Sequence, residues 1–130
     1  LEIRVNNQNL VNNRKPMNFL LHCKGIENES FKEIVFTETL KLLVNNSENR
    51  QYKISFDWKT TSVSGRFKFQ CVGVPWEDIC NYIEIHSKKM EGHYEGKFIL
   101  FAPRGNRGKF QIRCDNVNGE LQISNLMITR

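Results

Sequence analysis

Residues 52–59 read YKISFDWK, and apolar and polar side chains alternate along the whole stretch. Alternation with a period of two is typical of a β-strand that has one face in a core and the other in water. The apolar set is Tyr52, Ile54, Phe56 and Trp58, and the polar set is Lys53, Ser55, Asp57 and Lys59. The stretch therefore predicts a half-buried strand of an antiparallel sheet.

Similar patterns continue on both sides of this stretch. Strands are predicted at residues 17–24, 66–71, 81–87, 97–102, 110–115 and 120–129. Asn118-Gly119 predicts a hairpin turn before the last strand, because both residues tolerate a positive φ. Residues 31–44 fit one or two strands or a short helix, and loops are predicted at 6–16, 72–78 and 88–96. Short strands separated by turns predict an antiparallel sandwich or barrel.

The bulk composition fits one globular domain. The chain has 130 residues, of which 39% are hydrophobic, and its nine Phe can supply a core. No apolar run approaches the roughly 18 residues that a membrane span needs, so we expect no membrane insertion. The chain starts at Leu1 and shows no signal peptide pattern. We therefore expect residues 1–130 to be a single domain excised from a longer protein.

The net charge of +5 would suit nucleic acid, an anionic surface or an anionic polymer as a partner. The acids are scattered, however, and an ordinary lysine-rich surface explains the charge better. One stretch, residues 97–113, carries no acid; its basic residues are Lys97, Arg104, Arg107, Lys109 and Arg113. Its only aromatic residues are Phe98, Phe101 and Phe110, and we expect two of these in the core, so nucleic acid ranks last among the partners we consider.

The sequence contains no recognisable catalytic or metal-binding motif. A phosphate-binding glycine loop and a Gly-x-Ser-x-Gly elbow are both missing, so we expect that the chain is not an enzyme. His22 and Cys23 are adjacent and would point to opposite faces of a strand, so we expect no metal site and no cofactor. Cys71 and Cys114 stand within alternating apolar series, which favours free, buried thiols over disulfides.

Polar residues on the outward side of the predicted strands could form a binding face. Four strands contribute Lys53, Ser55 and Asp57; Arg66, Lys68 and Gln70; Tyr82, Glu84 and His86; and Gln111, Arg113 and Asp115. Planar polar side chains bind sugar hydroxyls, and aromatic rings stack on sugar C–H faces. The candidate ligand-binding residues are Arg66, Gln70, Trp76, Tyr82, His86, Gln111 and Arg113. An ordinary solvated sheet face is the equal alternative, and Trp76 could instead cap the core.

Three stretches in the C-terminal third carry a family resemblance: GKFIL at 96–100, FQIRCDN at 110–116 and GELQISNLMI at 119–128. They resemble the final strands of jelly-roll carbohydrate-binding modules of the kind found in tail and baseplate proteins of phages of Gram-positive hosts. Residues 52–59 resemble the mid-domain strand of these modules. The resemblance implies an all-β, antiparallel two-sheet jelly-roll β-sandwich.

The resemblance also implies a function and a location. The chain would bind cell-surface or cell-wall saccharide without catalysis, as an accessory domain of a phage tail or baseplate adhesion protein, or otherwise outside a cell. Ser124 and Asn125 stand where many such modules use an Asp for calcium, so we expect no calcium. The basic stretch would suit an anionic wall polymer. The alternative is a structural or protein-interaction β-sandwich of a virion or surface protein, contacting other domains of its parent chain without a glycan ligand.

Overall fold

A computed structural model describes residues 9–12, 14–24, 30–34, 50–72, 77–100 and 109–130 of the chain. The described residues form strands and turns. The strands are β1 (Met17–Lys24), β2 (Ser30–Ile34), β3 (Arg50–Thr60), β4 (Arg66–Val72), β5 (Glu77–Asp78), β6 (Ile83–Glu84), β7 (Glu91–Leu100), β8 (Lys109–Asp115) and β9 (Asn118–Thr129). In this part of the chain no helix is long and apolar enough to cross a membrane.

The strands form two antiparallel sheets. One has four strands in the order β1-β9-β3-β7, and the other has the order β2-β8-β4-β5, with β6 also paired to β4. The last strand, β9, therefore lies between β1 and β3, which come early in the chain. This architecture confirms the all-β class and the antiparallel two-sheet sandwich.

The core between the sheets is built from the apolar side of each alternating strand. Tyr52, Ile54, Phe56 and Trp58 of β3 are all buried, as the alternation predicts. The ring of Phe56 reaches across to the other sheet, with its centroid 4.8 Å from that of Phe69 on β4. Aromatic contacts at this distance add to the burial of apolar surface that holds the sheets together.

The prediction of a hairpin turn at Asn118-Gly119 is wrong. β8 belongs to the five-stranded sheet and β9 to the four-stranded sheet, so the chain changes sheets between Asp115 and Asn118. Asn116 takes the left-handed conformation at this corner, with φ 56°, and Val117 is buried in the core. Burial of Val117 draws the chain inward, and β9 then pairs with β1 rather than with β8.

Strand β7 begins earlier than predicted, because residues from Glu91 onward were assigned to a loop. Two glycines in this segment interrupt the apolar alternation. A Cβ on Gly92 would lie 2.9 Å from Nε1 of Trp58, and one on Gly96 would meet the Tyr94 hydroxyl. The missing side chains make room for these rings on the core side, which is a known use of glycine in strands.

Three other predicted segments also differ from the structure. The predicted strand 81–87 is reduced to β6, and Glu77–Asp78 of the predicted loop 72–78 forms β5. Within the predicted loop 6–16, Leu10 and Val11 are buried in the core. Of the ambiguous residues 31–44, those up to Ile34 belong to β2, and the remainder lie outside the described residues.

All four cysteines are free and buried. A hydrogen bond joins the Cys23 and Cys114 thiols across the two sheets and, together with burial, raises the pKa of Cys114. Burial raises the pKa of the Cys80 thiol to about 11. Both shifts disfavour the thiolate, which is the reactive form of cysteine.

The native thiols are therefore expected to react slowly with a disulfide reagent. With Ellman's reagent at pH 8, we expect less than one thiol per chain to react within minutes in buffer, and all four of the free cysteines to react in strong denaturant. Rapid labelling of the native protein would contradict the buried positions of these side chains. Failure to label all of them in non-reducing denaturant would instead reveal a disulfide.

Candidate functional site

The outward side of the five-stranded sheet carries most of the candidate ligand-binding residues. On β4, alternation buries Phe67, Phe69 and Cys71, and on β8 it buries Phe110, Ile112 and Cys114. The intervening residues point to the other side of the sheet. We call this surface the five-stranded face; its residues are Phe31, Glu33, Arg66, Lys68, Gln70, Asp78, Tyr82, Lys109, Gln111, Arg113 and Asp115.

The strand register arranges these side chains in rows across the sheet. Gln111 of β8 lies opposite Gln70 of β4 and Glu33 of β2. In the second row, Arg113 lies between Lys68 and Phe31. In the third row, Asp115 lies opposite Arg66. Residues directly opposite each other have Cβ atoms about 5 Å apart, so their side chains interact.

Asp115 is the central residue of a network of polar contacts at one end of the five-stranded face. Its carboxylate is only 2% exposed, and it accepts a hydrogen bond of 2.5 Å from the Tyr82 hydroxyl. Nε of Arg66 lies 3.6 Å from the same carboxylate oxygen. The guanidinium of Arg66 also stacks over the Tyr82 ring, with Cζ 3.9 Å from the centroid, and Nζ of Lys68 is 4.4 Å away. These contacts fix the position of the Tyr82 ring.

The environment of Tyr82 keeps its hydroxyl protonated. Burial raises the pKa of this group, and the hydrogen bond to Asp115 raises it further. The phenol is therefore a hydrogen-bond donor to Asp115 at neutral pH. The apolar ring of Tyr82 and its polar hydroxyl lie beside the cationic groups of Arg66 and Lys68.

A second network occupies the Gln70 row. Nε2 of Gln70 donates to Oδ1 of Asp78 at 3.0 Å, and Nε2 of Gln111 reaches Oε1 of Gln70 at 3.5 Å. Lys68 forms an ion pair of 3.0 Å with Asp78. Burial opposes ionisation of Asp78, but the bonds from Gln70 and Lys68 outweigh it and lower its pKa. The two amides are thus held in fixed orientations.

The face contains an exposed aromatic residue that the sequence analysis missed. Phe31 is 61% exposed and lies beside Arg113. A side chain this exposed is not part of the core, and its ring is accessible to a ligand at this face. The signal was present in the sequence, because Phe31 alternates in step with Glu33, whereas the buried Ile34 belongs to the opposite set.

The structure brings together Arg66, Gln70, Tyr82, Gln111 and Arg113 on the five-stranded face. His86 does not join their network: it lies in a turn after β6, bridged to Lys89. Trp76 lies outside the described residues. The basic stretch 97–113 is likewise described only in part.

The four-strand binding face predicted from the sequence is wrong in one respect. Lys53, Ser55 and Asp57 belong to β3, which lies in the four-stranded sheet, so they point away from the other candidates. Asp57 instead contacts His93 on the neighbouring strand β7, with 2.6 Å between Oδ1 and Nδ1. Alternation assigned each side chain to the outward side correctly, but it did not distinguish the two outward sides of the sandwich.

The chemistry of the five-stranded face is that of polar binding. Among the residues that the structure describes, no group of three or more His, Cys, Asp or Glu is placed to hold a metal ion. Most charges of the face are paired: Lys109 with Glu33 at 3.0 Å, Lys68 with Asp78 and Arg66 with Asp115. The accessible charged groups and two aromatic rings of this face can bind a ligand that carries many hydroxyl groups, with the buried Gln70 and Gln111 amides beneath them.

Comparison with solved structures identifies proteins with a similar fold. No protein-family model and no curated protein matches the chain. The CBM22-1 xylan-binding domain of Paenibacillus barcinonensis Xyn10C has a TM-score of 0.59 at 10% identity, covering 86% of this chain and 70% of that domain. The N-terminal cellulose-binding domain of Cellulomonas fimi β-1,4-glucanase C has a TM-score of 0.55 at 10% identity, covering 92% and 82%.

A third structure, described as CBM4, gives a TM-score of 0.51 at 9% identity and covers 87% of this chain and 82% of its own. At such low identity these similarities report the backbone arrangement and not a ligand. The chain therefore has the β-sandwich fold of these carbohydrate-binding modules.

Proposed function

We propose that this chain is a non-catalytic module that binds saccharide on the five-stranded face. The observation that carries the proposal is the row formed by Phe31, Arg113 and Lys68, with the Tyr82 ring held above Lys68. An exposed ring and a fixed ring on either side of charged hydrogen-bond donors can contact the C–H face and the hydroxyl groups of a sugar. Neighbouring strands are about 4.8 Å apart, so Phe31 on β2 and Lys68 on β4 are separated by about 10 Å.

The charge of the face supports a neutral or weakly charged glycan. Three cations of the face have carboxylate partners within 3.6 Å, so they contribute little net attraction for a highly anionic polymer. Specific binding to hydroxyl groups, by contrast, needs oriented donors and acceptors. Gln70 and Gln111 are each only 8% exposed and are engaged in their own hydrogen bonds. The half-buried Arg66, Tyr82 and Arg113 would therefore supply the direct contacts.

The test is a glycan and cell-wall-polymer array at two salt concentrations, followed by titration of the best ligand against variants. Xylan and cellulose oligosaccharides belong in the array, since two domains of similar fold are named as xylan-binding and cellulose-binding. We expect Phe31→Ala and Arg113→Ala each to weaken binding about tenfold, the loss of one stacking or charge-assisted contact. Ile99→Ala removes another exposed apolar side chain, from the other sheet, and it should leave affinity unchanged.

Three outcomes would overturn the proposal. Equal affinity of Phe31→Ala, Arg113→Ala and the wild type would place the ligand elsewhere. Absence of binding to any glycan would favour a structural or protein-interaction domain. Binding that disappears at moderate salt would indicate bulk charge rather than a saccharide site.

We further propose that the parent protein is a phage tail or baseplate adhesion protein, which would place the module on a virion. The support is the resemblance of residues 110–116 and 119–128 to modules of that kind. In this setting the ligand would be a wall saccharide of a Gram-positive host. Fluorescently labelled protein should then bind intact cells of such hosts, and cells stripped of wall polysaccharide should not retain it.

A further inference from the structure

A depression with a mixed polar and apolar lining lies on the outward side of the four-stranded sheet, away from the five-stranded face. Its volume is about 540 Å³, which is in the range of a small-ligand site. It is lined by Lys53, Ile54, Ser55, Glu95, Gly96, Lys97, Met127 and Thr129. Strands β3, β7 and β9 supply these residues, so the sheet itself forms its floor.

The register places two lysines directly opposite each other at this depression. Lys53 of β3 pairs with Lys97 of β7 on one side and with Thr129 of β9 on the other. Like charges at directly opposed positions of an antiparallel pair repel each other and destabilise the sheet. Among the residues that the structure describes, neither lysine has an ion-pair partner to offset this repulsion.

The acid in the lining is already engaged. Oε1 of Glu95 lies 2.9 Å from Nε2 of His93, and Nδ1 of His93 lies 2.6 Å from Asp57. The hydrogen bonds to Asp57 and Glu95 raise the pKa of His93, so this imidazole carries a proton over a wider pH range. Its single positive charge is shared between the two carboxylates and offsets the charge of Glu95 in part. With two lysines and one partly compensated acid, the lining of the depression carries a net positive charge.

We propose that this depression binds a phosphate or sulfate group carried by a sugar-sized ligand. The oxyanion would lie between the ammonium groups of Lys53 and Lys97 and relieve their repulsion. The Ser55 and Thr129 hydroxyls supply further hydrogen bonds, and the half-buried Met127 supplies an apolar surface for the body of the ligand. This site is independent of the saccharide site proposed above, because it lies on the other sheet.

Glucose 6-phosphate is a suitable probe, with glucose and inorganic phosphate as its two separate parts. In an NMR titration at constant ionic strength, we expect glucose 6-phosphate to shift the amides of β3, β7 and β9 saturably. Inorganic phosphate should shift the same amides with weaker affinity, and glucose should shift none of them. Lys53→Gln and Lys97→Gln should each weaken binding of glucose 6-phosphate about tenfold, the loss of one charge-assisted contact.

Lys59→Gln is the matched control, because Lys59 lies on the outward side of β3 and its loss changes the net charge equally. It should change the affinity less than twofold. The melting temperature of Lys53→Gln and Lys97→Gln should stay equal or rise, since the substitution removes a like-charge contact. Weaker binding by these two variants could then not be attributed to unfolding.

Three results would overturn the inference: no saturable shift, equal weakening in Lys59→Gln, or shifts confined to the five-stranded face. Arg113→Ala separates the two proposals. It removes a residue of the proposed saccharide site and should leave binding of glucose 6-phosphate unchanged. Either proposal can therefore be disproved without the other.

Discussion

Replacing Asp115 by Ala is expected to lower the free energy of unfolding by about 3 kcal/mol, because the change strips buried or partly buried polar groups of their charged partner. The carboxylate is 2% exposed and binds Tyr82 and Arg66. Without it, the Tyr82 hydroxyl and the Arg66 guanidinium lose the acceptor around which they are arranged. Urea unfolding followed by circular dichroism measures the effect.

Asp78→Ala is the matched control for this substitution. Asp78 lies on the same face and also pairs with a cation, Lys68, but its side chain is 51% exposed. Exposed ion pairs contribute roughly 0–1 kcal/mol, so the control should lose less than a third as much stability as Asp115→Ala. Similar losses in the two variants would mean that burial of Asp115 does not determine its importance.

Asp115 also has a measurable effect on its neighbour. The pKa of the Tyr82 hydroxyl is raised by burial and by the bond to Asp115, so the hydrogen bond is present below the ordinary tyrosine pKa and is lost as pH rises through the folded value. In Asp115→Asn the negative charge is gone, and we expect the pKa of Tyr82 to fall. Ultraviolet titration of tyrosine ionisation reads this shift directly. Saccharide affinity should fall as well, because Asp115 positions the Tyr82 ring.

The sequence predicts the inward and outward sides of individual strands well. Alternation in residues 52–59 and 66–71 identifies the buried rings, and Arg66 and Gln70 follow as outward residues. Alternation is a local property, since it arises from the geometry of one strand. It therefore recovers the side chains of the five-stranded face that stand on β4 and β8.

Strand partners, by contrast, depend on contacts between residues far apart in the chain. Nothing local to residues 52–59 indicates that β3 pairs with β7 and β9, so Asp57 was assigned to the wrong side of the sandwich. The wrong hairpin prediction at residues 118–119 has the same origin. The local sequence is typical of a hairpin, but β9 pairs with β1 and β3 of the other sheet, and those partners are distant in the chain. Phe31 was missed because β2 is a short edge strand in an ambiguous segment.

Replacing Phe56 by Ala is expected to destabilise the domain by about 4 kcal/mol, because removal of a fully buried aromatic ring leaves a cavity that the sheets fill only in part. Phe56 is 0% exposed and joins the two sheets. Its ring lies 4.8 Å from Phe69 and 6.3 Å from Phe67 on the opposite sheet, and 5.3 Å from Tyr94 on its own. The substitution removes all of these contacts together.

Urea unfolding of Phe56→Ala, Phe56→Leu and Phe31→Ala tests this expectation. With an m-value of about 2 kcal/mol/M, the midpoint of Phe56→Ala should fall by about 2 M. Phe56→Leu retains most of the buried volume and keeps the domain folded, with a loss of about 1 kcal/mol. Phe31→Ala removes the same ring from an exposed position and should change stability by less than about 0.5 kcal/mol. Equal effects at positions 56 and 31 would contradict their opposite burial, and with it the positions of both the core and the five-stranded face in this sandwich.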